Sequence, residues 1–106
     1  MSLDITKSEL EKKIKTEKTI FLDFYATWCG PCVSFKPIYE KVAAETSEAS
    51  FHTVNVDSQR DIAIDYRVSS IPTIICIKEG SVCWINTGSM NEDAFKEKVN
   101  NLTEKA

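Results

Sequence analysis

Two cysteines stand two residues apart in the pentapeptide Trp28-Cys29-Gly30-Pro31-Cys32. An apolar run just before them, residues 20–25, predicts a strand, and the apolar stripe after them predicts a helix from Cys32 to about Glu45. Residues three apart at a helix start lie on one face, so the two sulfurs can meet, form a disulfide and open it again. The spacing therefore predicts dithiol–disulfide exchange.

The position of each thiol relative to the predicted helix indicates the order in which the two react. The thiolate is the reactive form, and the positive end of a helix dipole lowers the pKa of a cysteine there. We therefore expect Cys29, just before the helix, to be the more exposed and more acidic thiol and to attack the substrate. Cys32, in the first turn, would then attack the mixed disulfide at Cys29 and release the reduced substrate. Pro31 suits that turn, where its missing N–H costs nothing.

Other uses of this cysteine pair fit the sequence less well. A closed zinc site needs four ligands, but the chain has one CxxC pair and one histidine, His52. Cys76 and Cys83 lie on predicted strands, where we expect them to pack as small apolar residues in the core or at a sheet face. A static disulfide over so short a span would restrict the unfolded chain little. Two unrelated cysteines would not explain the strand–loop–helix setting.

Asp23 and Pro72 are the next residues that could take part in chemistry. Asp23 interrupts the apolar strand, and a buried carboxylate is unfavourable unless it is paired or functional. It either faces solvent or a lysine, or it is a buried acid with a raised pKa that carries the proton of Cys32. Pro72 precedes a predicted strand, where proline is tolerated, and the pattern does not decide whether its peptide bond is cis or trans.

The remaining pattern predicts an α/β fold. Capping-box spacing predicts helix starts at Thr6 and Ser89, and Ser58 could cap a short helix. Strands are predicted at residues 3–5, 19–25, 51–56, 73–77 and 82–85. This order implies a mixed sheet of about five strands with helices on both faces, in one domain spanning residues 1–106. Strands separated by helices should be parallel, and the last two strands should form an antiparallel hairpin at one edge.

Composition narrows the classes of function. The 106 residues are 42% hydrophobic and 27% charged, which is typical of a globular protein. The net charge is −3 and the sequence contains no basic stripe, so we do not expect nucleic-acid binding. Apolar runs are too short to cross a bilayer, so we expect no membrane association. The first residues do not show a basic segment followed by an apolar one, which predicts a cytoplasmic, reducing location. We expect a monomer.

The chain resembles the thioredoxin family over essentially its whole length. The motifs that carry the resemblance are the pentapeptide, Asp23, Ile71-Pro72-Thr73, Lys78-Glu79-Gly80 and Gly88. The resemblance implies a thioredoxin fold, with a central sheet flanked by four helices. It also implies a protein disulfide reductase that binds no cofactor and is recharged by thioredoxin reductase with electrons from NADPH. Its disulfide substrates could include ribonucleotide reductase, a peroxiredoxin or methionine sulfoxide reductase.

The resemblance also implies roles for individual residues. Cys29 would be the nucleophile, Cys32 the resolving thiol and Asp23 the buried acid/base group. Ile71-Pro72 would be a cis peptide bond facing the disulfide, with the backbone of Ile71 pairing with the substrate. The apolar docking surface would consist of Trp28, Gly30, Pro31, Ile71, Pro72 and Gly88. Thr53 stands where some members have a lysine, which leaves the tuning of Asp23 open.

Two other functions use the same fold. Oxidase or isomerase domains usually carry a histidine next to the second cysteine, and Pro31 at that position favours a reducing protein instead. A non-catalytic binding subunit would use the same docking surface, and the sequence leaves that alternative open.

Overall fold

The computed structural model describes residues 2–104, which form four helices and four strands. In chain order, they are α1 (Lys7–Thr16), β1 (Thr19–Tyr25), α2 (Gly30–Glu45), β2 (Ser50–Asn55), α3 (Arg60–Asp65), β3 (Thr73–Lys78), β4 (Ser81–Thr87) and α4 (Glu92–Thr103). The predicted α/β class and the order of helices are confirmed.

The strands form a mixed sheet in the order β2-β1-β3-β4. β1 and β2 are parallel, whereas β3 is antiparallel to both β1 and β4. The predicted hairpin is confirmed, but the prediction that helix-separated strands are all parallel is wrong for β3. The connection after β2 does not return to the start of the sheet, because β3 begins at Thr73, which pairs with Phe24 near the end of β1. From that end, β3 runs back along β1 in the antiparallel direction.

The predicted first strand at residues 3–5 does not form, so the described part of the chain has four strands where about five were expected. This segment makes one isolated parallel bridge, between Asp4 and Thr53. The Ile5 N–H donates to Thr53 O at 3.0 Å, and the Thr53 N–H donates to Leu3 O at 2.9 Å. Pairing ends there because Thr6 caps α1, in the predicted capping box, and turns the chain into the helix.

β1 is an inner strand with a hydrophobic core on each face. Ile20, Leu22 and Phe24 belong to the core that also contains Leu10 of α1 and Ile62 of α3. Successive strand residues point to opposite faces, so Phe21, Asp23 and Tyr25 lie on the side covered by α2 and α4. The alternation therefore carries the carboxyl group of Asp23 into the protein interior.

Two predicted helix caps are wrong by one or two residues. α3 begins after Gln59, which makes no side-chain cap, and the Ser58 N–H instead bonds to Asn55 Oδ1 at 3.3 Å in the turn after β2. α4 begins after Asn91 instead of Ser89, and Asn91 Oδ1 accepts the Ala94 N–H at 2.8 Å. Asparagine and serine are both favoured at this position, so composition alone does not choose between neighbours.

Candidate active site

The two cysteines of the pentapeptide meet at the start of α2. Cys29 and Cys32 are bonded as a disulfide, with their Cα atoms 5.2 Å apart. Cys29 is the N-cap of the helix, which starts at Gly30, two residues earlier than predicted. Its Sγ accepts the Cys32 backbone N–H at 3.2 Å. The same N–H and the helix dipole would stabilise a thiolate at Cys29 once the disulfide is reduced.

The surroundings of the two sulfurs differ. Cys29 is 7% exposed and Cys32 is 3% exposed, which is the predicted order although both are largely covered. Cys32, but not Cys29, lines a cavity behind the disulfide. In front, a Cβ atom placed on Gly30 would meet no other atom within 4 Å. Cys29 is therefore the more exposed of the two cysteines, and the backbone beside it at Gly30 is uncrowded.

Ile71 and Pro72 form the opposite wall of the site. The peptide bond between them is cis, as the family resemblance implied. The carbonyl oxygen of Ile71 lies 4.0 Å from Cys29 Sγ. Gly88 has a φ of +96° and donates its N–H to Pro72 O at 2.8 Å. These contacts join the loop before β3 and the end of β4 beside the disulfide.

The six predicted docking residues differ in their solvent exposure. Trp28, Gly30 and Pro31 are exposed, Ile71 and Gly88 are half-buried, and Pro72 is buried. Trp28 is 71% exposed, and its indole Nε1 donates to Asp57 Oδ2 at 2.8 Å. Asp57 is not among the site residues predicted from the sequence. Its position just after β2 could have indicated it, because binding sites in α/β proteins form at the ends of strands.

Asp23 is buried in the wall of the cavity that Cys32 also lines. Its exposure is 3%, which rules out the solvent-facing alternative. Both residues line the cavity behind the disulfide, which has a volume of about 320 Å³. Among the described residues, none donates a hydrogen bond to Asp23 Oδ1. Burial raises the pKa of Asp23 to about 7, so this carboxyl group exchanges its proton near neutral pH.

Comparison with known proteins gives the same result as the geometry. The family model described as Thioredoxin matches residues 1–101. A thioredoxin of Mycoplasmoides gallisepticum is 37% identical over 91 residues, covering 86% of this chain and 91% of that protein. Thioredoxin-1 of Saccharomyces cerevisiae is 40% identical over 94 residues, covering 89% and 90%. The chain belongs to the thioredoxin family.

A solved structure agrees with this assignment. A mutant thioredoxin from Halobacterium salinarum NRC-1 superposes with a TM-score of 0.88 at 30% identity, covering 97% of this chain and 90% of that one. The architecture is the thioredoxin fold, with four helices around a mixed four-stranded sheet in the described residues.

Thioredoxin-family membership and the closed Cys29–Cys32 pair together give the activity. The protein is a thiol–disulfide oxidoreductase that acts as a redox carrier and reduces protein disulfides. Thioredoxins bind no cofactor of their own, and they generally work with thioredoxin reductase and with disulfide-containing substrates.

The other two cysteines of this thioredoxin-family protein are free thiols on neighbouring strands. Cys76 is fully buried in the core as predicted, whereas Cys83 is exposed. Burial, together with the nearby Cys83 thiol, raises the pKa of Cys76 to about 12. Within residues 2–104, no cluster of three or more His, Cys, Asp or Glu is placed to hold a metal ion. No helix in that range is long and apolar enough to span a membrane.

Proposed function

We propose that Cys29 is the nucleophile of the disulfide reductase and that Cys32 resolves the intermediate. The Cys29 thiolate attacks one sulfur of a substrate disulfide, forms a Cys29–substrate disulfide and releases the other substrate sulfur as a thiol. The Cys32 thiolate then attacks Cys29 Sγ, closes the Cys29–Cys32 disulfide and releases the second substrate thiol. Two electrons pass to the substrate. The observation that carries this order is the placement of Cys29 at the N-cap of α2, where it is the more exposed of the two cysteines.

Asp23 is the acid/base group for Cys32 in this proposal. Cys32 must lose its proton before it can attack, and the buried carboxyl group of Asp23 lines the same cavity. A base with a pKa near the working pH transfers protons most effectively, and burial raises the pKa of Asp23 to about 7. The proton that leaves Cys32 would therefore pass to Asp23 during resolution.

The substrate would dock on the surface around the disulfide. That surface consists of Trp28, Gly30, Pro31, Ile71, Pro72 and Gly88. Pro72 is buried, so its part is to hold the Ile71 backbone toward the site. The half-buried Ile71 packs against the buried cluster that contains Cys29 and Cys32, where its backbone groups could pair with an extended substrate chain.

Thioredoxin reductase would return the protein to its dithiol form with electrons from NADPH. The fold, acting as one domain and a monomer, would serve disulfide-containing substrates in a reducing compartment such as the cytoplasm. Ribonucleotide reductase, a peroxiredoxin and methionine sulfoxide reductase are substrates of the required chemistry. Membership in the thioredoxin family supports this set of partners.

A trapping experiment tests the order of the two thiols. Without the resolving thiol, Cys32→Ser should accumulate a mixed disulfide between Cys29 and a model disulfide protein such as insulin, visible as an adduct by mass spectrometry. The matched control is Cys29→Ser, which keeps the buried thiol and should trap little. Adducts formed equally by both variants, or mainly by Cys29→Ser, would contradict the assignment.

A further inference from the structure

Asp4, Thr53 and Asp23 form a row of side chains across three neighbouring segments. Thr53 of β2 is the register partner of Asp23 on β1 and also of Asp4 in the isolated bridge. Paired residues of parallel strands lie about 4.8 Å apart and point to the same face. All three residues line the cavity behind the disulfide. Thr53 is therefore placed between two carboxyl groups, and its hydroxyl can serve only one at a time.

The hydroxyl of Thr53 forms a hydrogen bond with Asp4. Thr53 Oγ1 donates to Asp4 Oδ1 at 2.5 Å, and the Tyr25 hydroxyl donates to the same oxygen at 2.8 Å. Backbone hydrogen bonds join Thr53 to Leu3 and Ile5, the residues on either side of Asp4, and keep Asp4 at this position. Asp23 Oδ1, on the other side of Thr53, accepts no hydrogen bond from any residue in 2–104. The hydroxyl of the residue paired with Asp23 is thus bonded to Asp4 instead.

Other ionisable groups also surround Asp23. Those that line the cavity or interact electrostatically with Asp23 are Asp4, Tyr25, Cys32, Lys36, Tyr39 and Glu40. Lys36 and Glu40 are exposed on α2, and the Tyr39 hydroxyl lies within hydrogen-bonding distance of backbone carbonyls, 3.0 Å from Phe21 O and 2.7 Å from His52 O. On β3, the register partner of Asp23 is the apolar Ile74. Thr53 is therefore the hydroxyl-bearing residue that the strand register pairs with Asp23.

We propose that Asp4 is a positioning residue for the acid/base chemistry of Asp23, because it holds the Thr53 hydroxyl and prevents it from donating to the Asp23 carboxylate. This inference rests on the proposed role of Asp23. A hydrogen bond to a carboxylate stabilises its charged form and lowers its pKa. With the hydroxyl held by Asp4, burial acts on Asp23 unopposed and keeps its pKa close to neutral.

The test is a pH titration of the Asp23 carboxyl group, followed by carbon-13 NMR in the oxidised protein, where Cys29 and Cys32 do not titrate. Asp4→Ala frees the Thr53 hydroxyl, so the pKa of Asp23 should fall by about one unit, the size expected for one hydrogen bond to a charged group. Asp4→Asn removes the charge but keeps an oxygen that can accept both hydroxyls, and it should lower the pKa much less.

The double variant Asp4→Ala/Thr53→Val identifies the donor. Without the Thr53 hydroxyl, the pKa of Asp23 should return to the value found for Asp4→Asn, and Thr53→Val alone should leave it unchanged. If Asp4→Asn lowers the pKa as far as Asp4→Ala, the effect is one of charge and the proposal is wrong. If Thr53→Val fails to reverse the effect of Asp4→Ala, Thr53 is not the donor and the proposal is also wrong.

Resolution kinetics separate this inference from the proposed function. The rate at which Cys32 closes the mixed disulfide should show a pH midpoint that follows the Asp23 pKa in each variant. A shifted carboxyl titration with an unchanged pH–rate profile would support the role of Asp4 and contradict the role of Asp23 as the base for Cys32.

Discussion

The chain contains two pairs of neighbouring cysteines, and they differ in almost every property that controls thiol chemistry. Cys29 and Cys32 lie at a helix start and are joined as a disulfide. Cys76 and Cys83 lie on the antiparallel strands β3 and β4 and are free. The register between these strands shifts after Cys76, so that Cys76 faces Trp84 and Cys83 is an extra residue in a bulge.

The difference shows that the position of a thiol sets its reactivity. Cys29 combines a backbone N–H donor with a helix dipole, and it is the more exposed cysteine of its pair. Cys76 has the opposite surroundings, because burial raises its pKa to about 12 and leaves little thiolate at neutral pH. Cys83 is exposed but does not lie at a helix start. We therefore expect the second pair to contribute to packing and little to turnover.

The largest expected effect is on the rate of insulin reduction with NADPH and thioredoxin reductase, where substitutions in the two cysteine pairs should differ most. Cys29→Ser should lose essentially all turnover because no other thiol of the described residues stands at the N-cap of a helix. The double variant Cys76→Ala/Cys83→Ser should keep its rate within about twofold of wild type, since neither thiol has an activating environment. Turnover that depended on Cys76 or Cys83 would break the distinction between the pairs.

The carboxyl group of Asp23 should make the stability of the fold depend on pH. The pKa of Asp23 is about 7 in the folded protein, compared with an ordinary value of 3.8, so the unfolded chain loses this proton first as pH rises. The free energy of unfolding should therefore fall between about pH 4 and pH 7, by up to about 4 kcal/mol.

Asp23→Asn removes this titration and should become progressively more stable relative to wild type over the same window. Guanidinium unfolding of the oxidised proteins at several pH values measures the difference. If the difference in free energy of unfolding between the two proteins is constant from about pH 4 to about pH 8, the pKa of Asp23 is not raised by burial.

The smallest effect should distinguish the two members of the second pair. Cys76→Ser places a hydroxyl in a fully buried apolar site and should destabilise the fold by about 1–3 kcal/mol. Cys83→Ser, at an exposed position, should change stability by less than about 0.5 kcal/mol. Equal losses in a denaturant titration would mean that the bulge holds Cys83 as tightly as the core holds Cys76.

Local patterns were sufficient to predict the parts of the site that depend on one segment. The apolar run of β1 with its polar interruption predicted that Asp23 could be a buried acid, and the spacing of Cys29 and Cys32 predicted their contact. The cis bond at Pro72 came from the family resemblance, because the preference of a single X–Pro bond is too small to decide it.

The parts that were missed depend on contacts between distant segments. The direction of β3 depends on the end of the sheet at which the chain re-enters it, opposite Phe24, and hydrophobic periodicity does not report that. Asp57 and Asp4 are short polar residues in turns and edges, and only the assembled sheet shows that they hold Trp28 and Thr53. Their hydrogen-bond partners are 29 and 49 residues away along the chain.

The bulge at Cys83 also affects how this protein behaves at high concentration. β4 is an outer strand of the sheet, and a regular outer strand offers N–H and C=O groups that can pair with a second molecule. The extra residue interrupts the even spacing of those groups and twists the strand, so a straight strand from a neighbour cannot bond along its full length. The irregular pairing should therefore disfavour edge-to-edge aggregation through β4.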